Sequence, residues 1–161
     1  MNPHDIMHYG QQTMHQALDG LPDSTWNTDG VCGWWSVKNI LAHLVVYERM
    51  LEDILTGFVD PTAARPTLAA IRKQGLETFN TEQVAARQQT SPLAVLRELD
   101  DVHARVLALV PRIAPETWRK VGTLPWYGDE YALDDYVVYA CYGHKREHAA
   151  QINVYKDTFK T

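Results

Sequence analysis

The stretch that decides the fold is SVKNILAHLVVYERMLEDILTG, residues 36–57. Its apolar residues recur every three or four positions, which is the period of an amphipathic α-helix and not of a strand. Ser36 can cap the free N–H groups at the start of this helix, and we expect Gly57 to end it. The apolar stripe that would face a core consists of Val37, Ile40, Leu41, Leu44, Leu51 and Leu55.

Three further stretches show the same helical period. The first covers residues 4–20, and another begins at Ser91, a capping residue followed by proline at the first helical position. The last covers residues 133–157, behind acidic residues that suit a helix N-terminus. Residues 67–89 predict one or two shorter helices. The chain is therefore predicted to be an all-α four-helix bundle, with short extra helices in the connection between its second and third helices.

The composition is that of a soluble globular protein with a single domain over residues 1–161, 45% hydrophobic and 22% charged. A chain of this length buries roughly two-thirds of its unfolded surface, so it needs no metal merely to fold. The formal net charge of −5 argues against nucleic acid or an anionic membrane as a partner. Two cysteines without CxxC spacing, and the absence of signal-peptide and membrane-span patterns, predict a cytoplasmic protein.

The last predicted helix carries an HxxxH motif in YGHKREHAAQI, residues 142–152. A wheel at about 100° per residue puts His144 and His148 on the inward face and places Lys145 and Arg146 on or beyond its edges. Two imidazoles one turn apart can bind a common Zn²⁺. Alternatively, they are core histidines with hydrogen-bonded rings.

Several histidines could supply a third ligand, and spacing does not choose among them. His43 lies on the rim of the stripe of the second helix. His103 lies within the stripe of the third helix, where we expect a core histidine that is hydrogen-bonded to another helix. The first helix carries His4, His8 and His15, which we expect at the boundary of the core; the first two form a second HxxxH pair, but fraying at the chain start would loosen a site there.

Two motifs carry a resemblance to a known family. WSVKNILAHL, residues 35–44, and HKREHAAQI, residues 144–152, resemble the helix-two and final-helix motifs of the DinB-like superfamily of four-helix bundles, WS-x-K-x-[IL]-L-x-H-L and H-x-x-x-H-x-x-Q-I. GVCGWWSVK, residues 30–38, and the segment 79–110 are similar to the ClbS/DfsB branch of that superfamily. The similarity extends over nearly the whole chain.

The resemblance implies a metal site made of His43, His144 and His148. Three histidine ligands leave at least one coordination position open, as in catalytic sites. The implied ion is Zn²⁺, Ni²⁺ or Fe²⁺. The implied activity is that of a metal-dependent hydrolase or thiol S-transferase that detoxifies a small electrophilic molecule, with a low-molecular-weight thiol as a cosubstrate. The resemblance also leads us to expect a homodimer.

Other features permit two interpretations. Glu147, at the edge of the inward face, is either a functional residue, as a general base or as a partner that orients a ligand histidine, or a surface carboxylate. Cys141 is expected to be a small core residue. The runner-up function is a non-catalytic ClbS/DfsB-type bundle that sequesters a small ligand, with or without metal. Aromatic residues in the loops either cap the bundle ends or line a pocket mouth; they are Trp34, Trp35, Trp118, Trp126 and Tyr127.

Overall fold

Two pairs of long helices build the core. The computed structural model describes residues 2–159. In it, α2 (Val37–Val59) packs along α5 (Pro92–Leu109). The second pair is α1 (Pro3–Leu18) and α8 (Gly143–Asp157), and α8 also contacts α2. The predicted all-α bundle is confirmed.

The sequence of α2 explains its start, and its end corrects one prediction. Asn39 N–H donates to Ser36 Oγ over 3.2 Å, and the Ser36 N–H donates to Asn39 Oδ1 over 3.2 Å, which closes a reciprocal cap. The prediction that Gly57 ends the helix is wrong, because α2 continues to Val59. Glycine at this position leaves room for the Arg65 side chain, which packs against it.

Two short helices fill the connection between α2 and α5, as predicted. They are α3 (Pro66–Gln74) and α4 (Leu76–Ala86), and they meet at Gly75, whose φ of +85° favours glycine. The side chain of Asp53 accepts a hydrogen bond of 3.0 Å from the N–H of Leu68, so α2 itself caps the start of α3.

The last helix contains a π-helical turn that its sequence period did not reveal. The short α7 (Leu133–Tyr136) runs without a break through a π segment at Val137–Tyr142 into α8. A π turn holds more residues than an α turn, so it acts as an insertion of about one residue and turns the following helix back by about 100°.

This rotation makes one prediction about α8 wrong. Lys145, which the wheel placed on or beyond the edge of the inward face, is buried with a relative exposure of 5%. Lys145 and Ile152 occupy the centre of the buried face of α8, and His148 is buried beside them. His144 and Gln151 lie at its partly exposed edge.

The hydrophobic core has two parts along α2. The first part surrounds the N-terminal half of α2 and includes Met14, Leu99 and Ile152. The second part surrounds the C-terminal half of α2 and includes Val106 and Leu133. Trp118, in the short α6 (Pro115–Trp118), is buried in the second part, so this loop aromatic caps a bundle end. Within the described residues, no helix combines the length and the hydropathy of a membrane span.

Candidate metal centre

Three histidines from α2 and α8 converge on one point. His43 Nε2 lies 2.9 Å from His144 Nε2, and His148 Nε2 lies 3.0 Å from the same atom. His43 and His148 are buried, and His144 is partly exposed. The structure therefore brings together the three residues of the predicted triad, although His43 and His144 are 101 positions apart in sequence.

Side-chain amides hold the outer nitrogens of two of these rings. His43 Nδ1 lies 2.8 Å from Asn80 Oδ1, and His148 Nδ1 lies 2.8 Å from Gln151 Oε1. An amide oxygen only accepts, so both Nδ1 atoms carry the proton and donate. Each Nε2 therefore presents a lone pair to the centre of the triad, which is the arrangement that supports a histidine as a metal ligand.

The geometry of the triad fits a divalent cation. Nitrogens bound to one Zn²⁺ lie ~2.0–2.1 Å from the ion, so two of them in a tetrahedron are about 3.3–3.4 Å apart. The Nε2 separations of 2.9 and 3.0 Å are close to this value. A proton on His144 Nε2 can satisfy one neighbouring lone pair well, whereas a central cation can bind all three, so these residues could hold a metal.

Aromatic rings cover the triad on the α2 side. The centroid of the Trp35 ring lies 4.8 Å from that of His43. Tyr47, one turn after His43, lies 4.7 Å from His43 and 4.5 Å from His144 between ring centroids. Trp35 is thus one of the loop aromatics that lines a site, in line with the second interpretation of these residues.

Burial keeps the triad neutral. Burial lowers the pKa of His43 to about 4, against the opposing effect of its hydrogen bond to Asn80. It also lowers the pKa of His144 to about 3, with further contributions from His148, His43 and the cation of Lys145. The pKa of His148 is lowered by burial too. Neutral imidazoles are the form that binds metal, so the site is prepared for a cation at neutral pH.

A buried ionic cluster lies next to the triad. Glu48 Oε2 accepts from Lys145 Nζ over 2.8 Å, and Glu48 Oε1 lies 2.6 Å from His103 Nδ1. Burial alone would raise the pKa of Glu48, but the attraction of Lys145 and the hydrogen bond from His103 lower it to about 2. The expectation for His103 is confirmed: it is a core histidine hydrogen-bonded to another helix, and it is not a ligand of the triad.

The remaining candidate residues lie apart from the triad or at its rim. His4, His8 and His15 are exposed on α1 and do not lie at the boundary of the core, where they were expected; His15 Nε2 contacts Asp100 Oδ1 at 2.7 Å. Glu147 is exposed, and its charge raises the pKa of His148 against the larger effect of burial. Burial raises the pKa of the Cys141 thiol, which makes it a poor nucleophile and fits a core role.

The roles of Gln151, Asn80 and Lys145 beside the site were not predicted from the sequence, although Gln151 belongs to the final-helix motif. Gln151, three positions after His148, could have been found, because residues three apart share a helix face. Asn80 could not, because it is 37 positions from His43 and on a different helix. The pairing of Lys145 with Glu48 depends on the π segment, which leaves no periodic signal.

Comparison with known families gave one match. A family model described as the DinB superfamily matches residues 6–152, nearly the whole chain, and this confirms the predicted resemblance at the level of the superfamily. The match does not distinguish the ClbS/DfsB branch, which stays a prediction. Comparison with curated proteins gave no match, and neither did comparison with solved structures.

Proposed function

The chain belongs to the DinB superfamily, and from this membership and the geometry of its histidines we propose that it is a metal-dependent enzyme acting on a small molecule. The proposed ligands are the Nε2 atoms of His43, His144 and His148. The observation that carries the proposal is the convergence of the three Nε2 atoms. In His43 and His148, an amide oxygen holds the ring proton on Nδ1, so that Nε2 is free to bind a cation.

The proposed ion is Zn²⁺, Ni²⁺ or Fe²⁺, since imidazole suits all three. Such an ion, when bound, would supply Lewis acidity at a position that the three protein ligands leave open. The chain's own contribution is to orient the rings. Asn80 and Gln151 hold the two Nδ1 protons, while Trp35 and Tyr47 cover one side of the triad and limit the access of water.

The proposed substrate is a small electrophile, attacked either by water in a hydrolysis or by a low-molecular-weight thiol in an S-transfer. Either nucleophile must lose a proton, so a base is required. Glu48 is committed to Lys145 and His103. Glu147 is exposed, follows His144 on α8, and acts electrostatically on His148. We therefore keep Glu147 as the proposed general base.

Elemental analysis of protein purified without chelators tests the metal proposal. We expect about one equivalent of metal per chain in the wild type and a loss of most of it in His148→Ala. The matched control is His8→Ala, which removes an exposed histidine from the other HxxxH pair and should retain the metal. A wild type without stoichiometric metal, or a His148→Ala variant with as much metal as the wild type, contradicts the proposal.

Turnover assays test the enzymatic part. Metal-loaded protein is offered small electrophiles with and without cellular thiols. Glu147→Gln should lower kcat by about 10²-fold, the typical contribution of a general base, with an unchanged metal content. If Glu147→Gln is as active as the wild type, Glu147 is a surface carboxylate. If metal-loaded protein turns over none of these compounds, the sequestering bundle replaces the enzyme as the proposed function.

A further inference from the structure

A second concave site lies beside the C-terminal half of α2. Its cavity has a volume of about 610 Å³. Met50, Ile54 and Phe58 of α2 form one wall, and Leu68 and Ile71 of α3 form the opposite one. This volume is in the range of pockets that enclose a small organic ligand, ~300–1,000 Å³. We refer to this cavity as the arginine groove, for the two arginines at its rim, Arg65 and Arg72.

The third side of the arginine groove comes from the loop before α7. Leu124 and Trp126 contribute apolar surface there. Trp126 is 57% exposed, so a large aromatic ring stands open to solvent at the groove. Thr123 also lines the groove, and its buried hydroxyl has no hydrogen-bond partner within residues 2–159. The loop aromatic Trp126 therefore lines a pocket, as the second interpretation of these rings requires.

The charge of the arginine groove is opposite to that of the chain. Among residues 2–159, its charged lining residues are Arg65 and Arg72, and no acidic side chain lines it, although the protein carries a formal net charge of −5. Neither guanidinium forms an ion pair or side-chain hydrogen bond within the described part of the chain. Asp53, which interacts electrostatically with Arg65, already accepts the N–H of Leu68. The two cations are therefore available to a ligand.

Gly57 allows Arg65 to lie over the groove. A Cβ at position 57 would stand 2.9 Å from Arg65 Nη1 and 3.4 Å from Arg65 Cδ. A side chain there would push the guanidinium away from α2. A glycine in a helix interior costs about 0.5–1 kcal/mol relative to alanine, and the close approach of Arg65 gives a physical reason for this glycine.

The arginine groove is separate from the histidine triad. Met50 follows His43 by seven positions on α2, which corresponds to about 10 Å along the helix axis. None of the triad histidines lines the groove.

We propose that the arginine groove binds a small organic anion with an apolar body. The body lies between the apolar side chains of α2 and α3, against Trp126, and the acid group binds the guanidinium groups of Arg65 and Arg72. A planar guanidinium matches a carboxylate or a phosphate through paired hydrogen bonds, so both head groups belong to this ligand class. This site goes beyond the proposed metal function and does not depend on it.

Isothermal titration with octanoate and 1-octanol tests the proposal, because the two ligands share a chain length and differ in charge. We expect octanoate to bind about tenfold more tightly than 1-octanol. Arg65→Gln combined with Arg72→Gln should remove this preference, since two exposed ion pairs contribute on the order of a factor of ten together. Arg97→Gln is the matched control: it removes an exposed arginine on α5 and should keep the preference. Thermal unfolding checks that the variants are folded.

Two additional measurements decide where the ligand binds. Ile54→Trp, which fills the groove, should abolish binding of both ligands. Chelator-treated protein should bind octanoate as tightly as metal-loaded protein does. The proposal is overturned if octanoate does not bind, if the double arginine variant keeps the preference, or if octanoate binds metal-loaded protein only, since its carboxylate would then bind at the triad. If protein purified without chelators holds no stoichiometric metal but binds octanoate with the expected preference, the metal proposal alone fails.

Discussion

Asn80 and Gln151 determine what the histidine triad can bind. Each accepts the Nδ1 proton of one histidine, His43 or His148. Without these acceptors, each neutral imidazole could place its proton on either nitrogen and could turn in its pocket. With them, the Nε2 lone pairs of both rings point to the same place before any ligand arrives. The two rings therefore lose their rotational freedom when the chain folds, before a metal binds.

Asn80→Ala should weaken metal binding by about 10–100-fold, which is the usual effect of removing a partner of a ligating histidine. Competition with a chromophoric chelator measures the affinity. Asn80→Asp keeps an acceptor oxygen at the same place and serves as the control, with a smaller loss expected. If Asn80→Ala binds metal as tightly as the wild type does, the amide does not orient His43.

The lowered pKa values of the triad predict a pH dependence of stability. In the folded, metal-free protein the pKa of His43 is about 4 and that of His144 about 3, below the ordinary 6.5 of the unfolded chain. At a pH between these folded values and 6.5, the unfolded chain binds more protons than the folded protein does. The free energy of unfolding should therefore fall as the pH is lowered from about 6.5 towards 4.

Urea unfolding of chelator-treated protein at several pH values measures this dependence. The comparison is with His43→Gln combined with His144→Gln, which removes both titrating groups. The variant should show a flatter dependence in this window. An equal slope in the two proteins would mean that the two histidines titrate in the folded protein as they do in the unfolded chain.

At the scale of the elements, the π segment at Val137–Tyr142 decides which residues of α8 face the core. A regular helix from Leu133 onward would direct Lys145 away from the buried face. The π turn instead brings Lys145 to Glu48 on α2, beside His103 on α5. This buried ionic cluster therefore joins three helices one residue away from a proposed metal ligand, His144.

Breaking this cluster on one side should destabilise the protein strongly. Lys145→Met leaves Glu48 buried beside His103 alone, and we expect a loss of about 3–5 kcal/mol in the free energy of unfolding. Glu48→Met combined with Lys145→Met removes both charges and should lose less than Lys145→Met does. Urea unfolding measures both of these and the single variant Glu48→Met. If the double variant loses as much as the sum of the two single variants, the two charges do not interact.

The sequence predicts elements better than it predicts their rotation and their ends. The long helices follow from their apolar period and from caps such as Ser36 and Ser91. The prediction of a helix end at Gly57 is wrong, because glycine also occurs where another side chain packs closely, as that of Arg65 does here. The prediction that Lys145 lies on or beyond the edge of the inward face is wrong, because periodicity assumes one helix type throughout and contains no sign of the π turn.

At the scale of the whole molecule, the candidate site exists only in the folded chain. His43 on α2 and His144 on α8 meet across a separation of 101 positions, and Asn80 reaches them from α4. HxxxH spacing indicated two of the three histidines. Spacing does not distinguish His43, His103 and the histidines of α1 as the third ligand, and the resemblance of the motifs selects His43. No pattern in the sequence could place Asn80, since its role depends on the packing of α4 against α2.

Because the ligands come from separate helices, metal should stabilise the folded protein. A ligand that binds the folded state alone at 100 times its Kd adds about 2.7 kcal/mol. For a domain of this size each kcal/mol raises the Tm by roughly 2–4 °C, so saturating metal should raise it by roughly 5–10 °C. Calorimetry of chelator-treated and reloaded protein measures the shift, and His148→Ala should show none. An equal shift in His148→Ala would place the stabilising ion elsewhere.

The central claim is that His43, His144 and His148 bind one divalent ion. Anomalous diffraction from crystals of metal-loaded protein, recorded at the absorption edge of the bound ion, tests it most directly. We expect one strong peak ~2.0–2.1 Å from the Nε2 atoms of all three histidines, with at least one further position not taken by protein. A peak beside His4 and His8 instead, or no peak at the triad of protein saturated with metal, would contradict the claim.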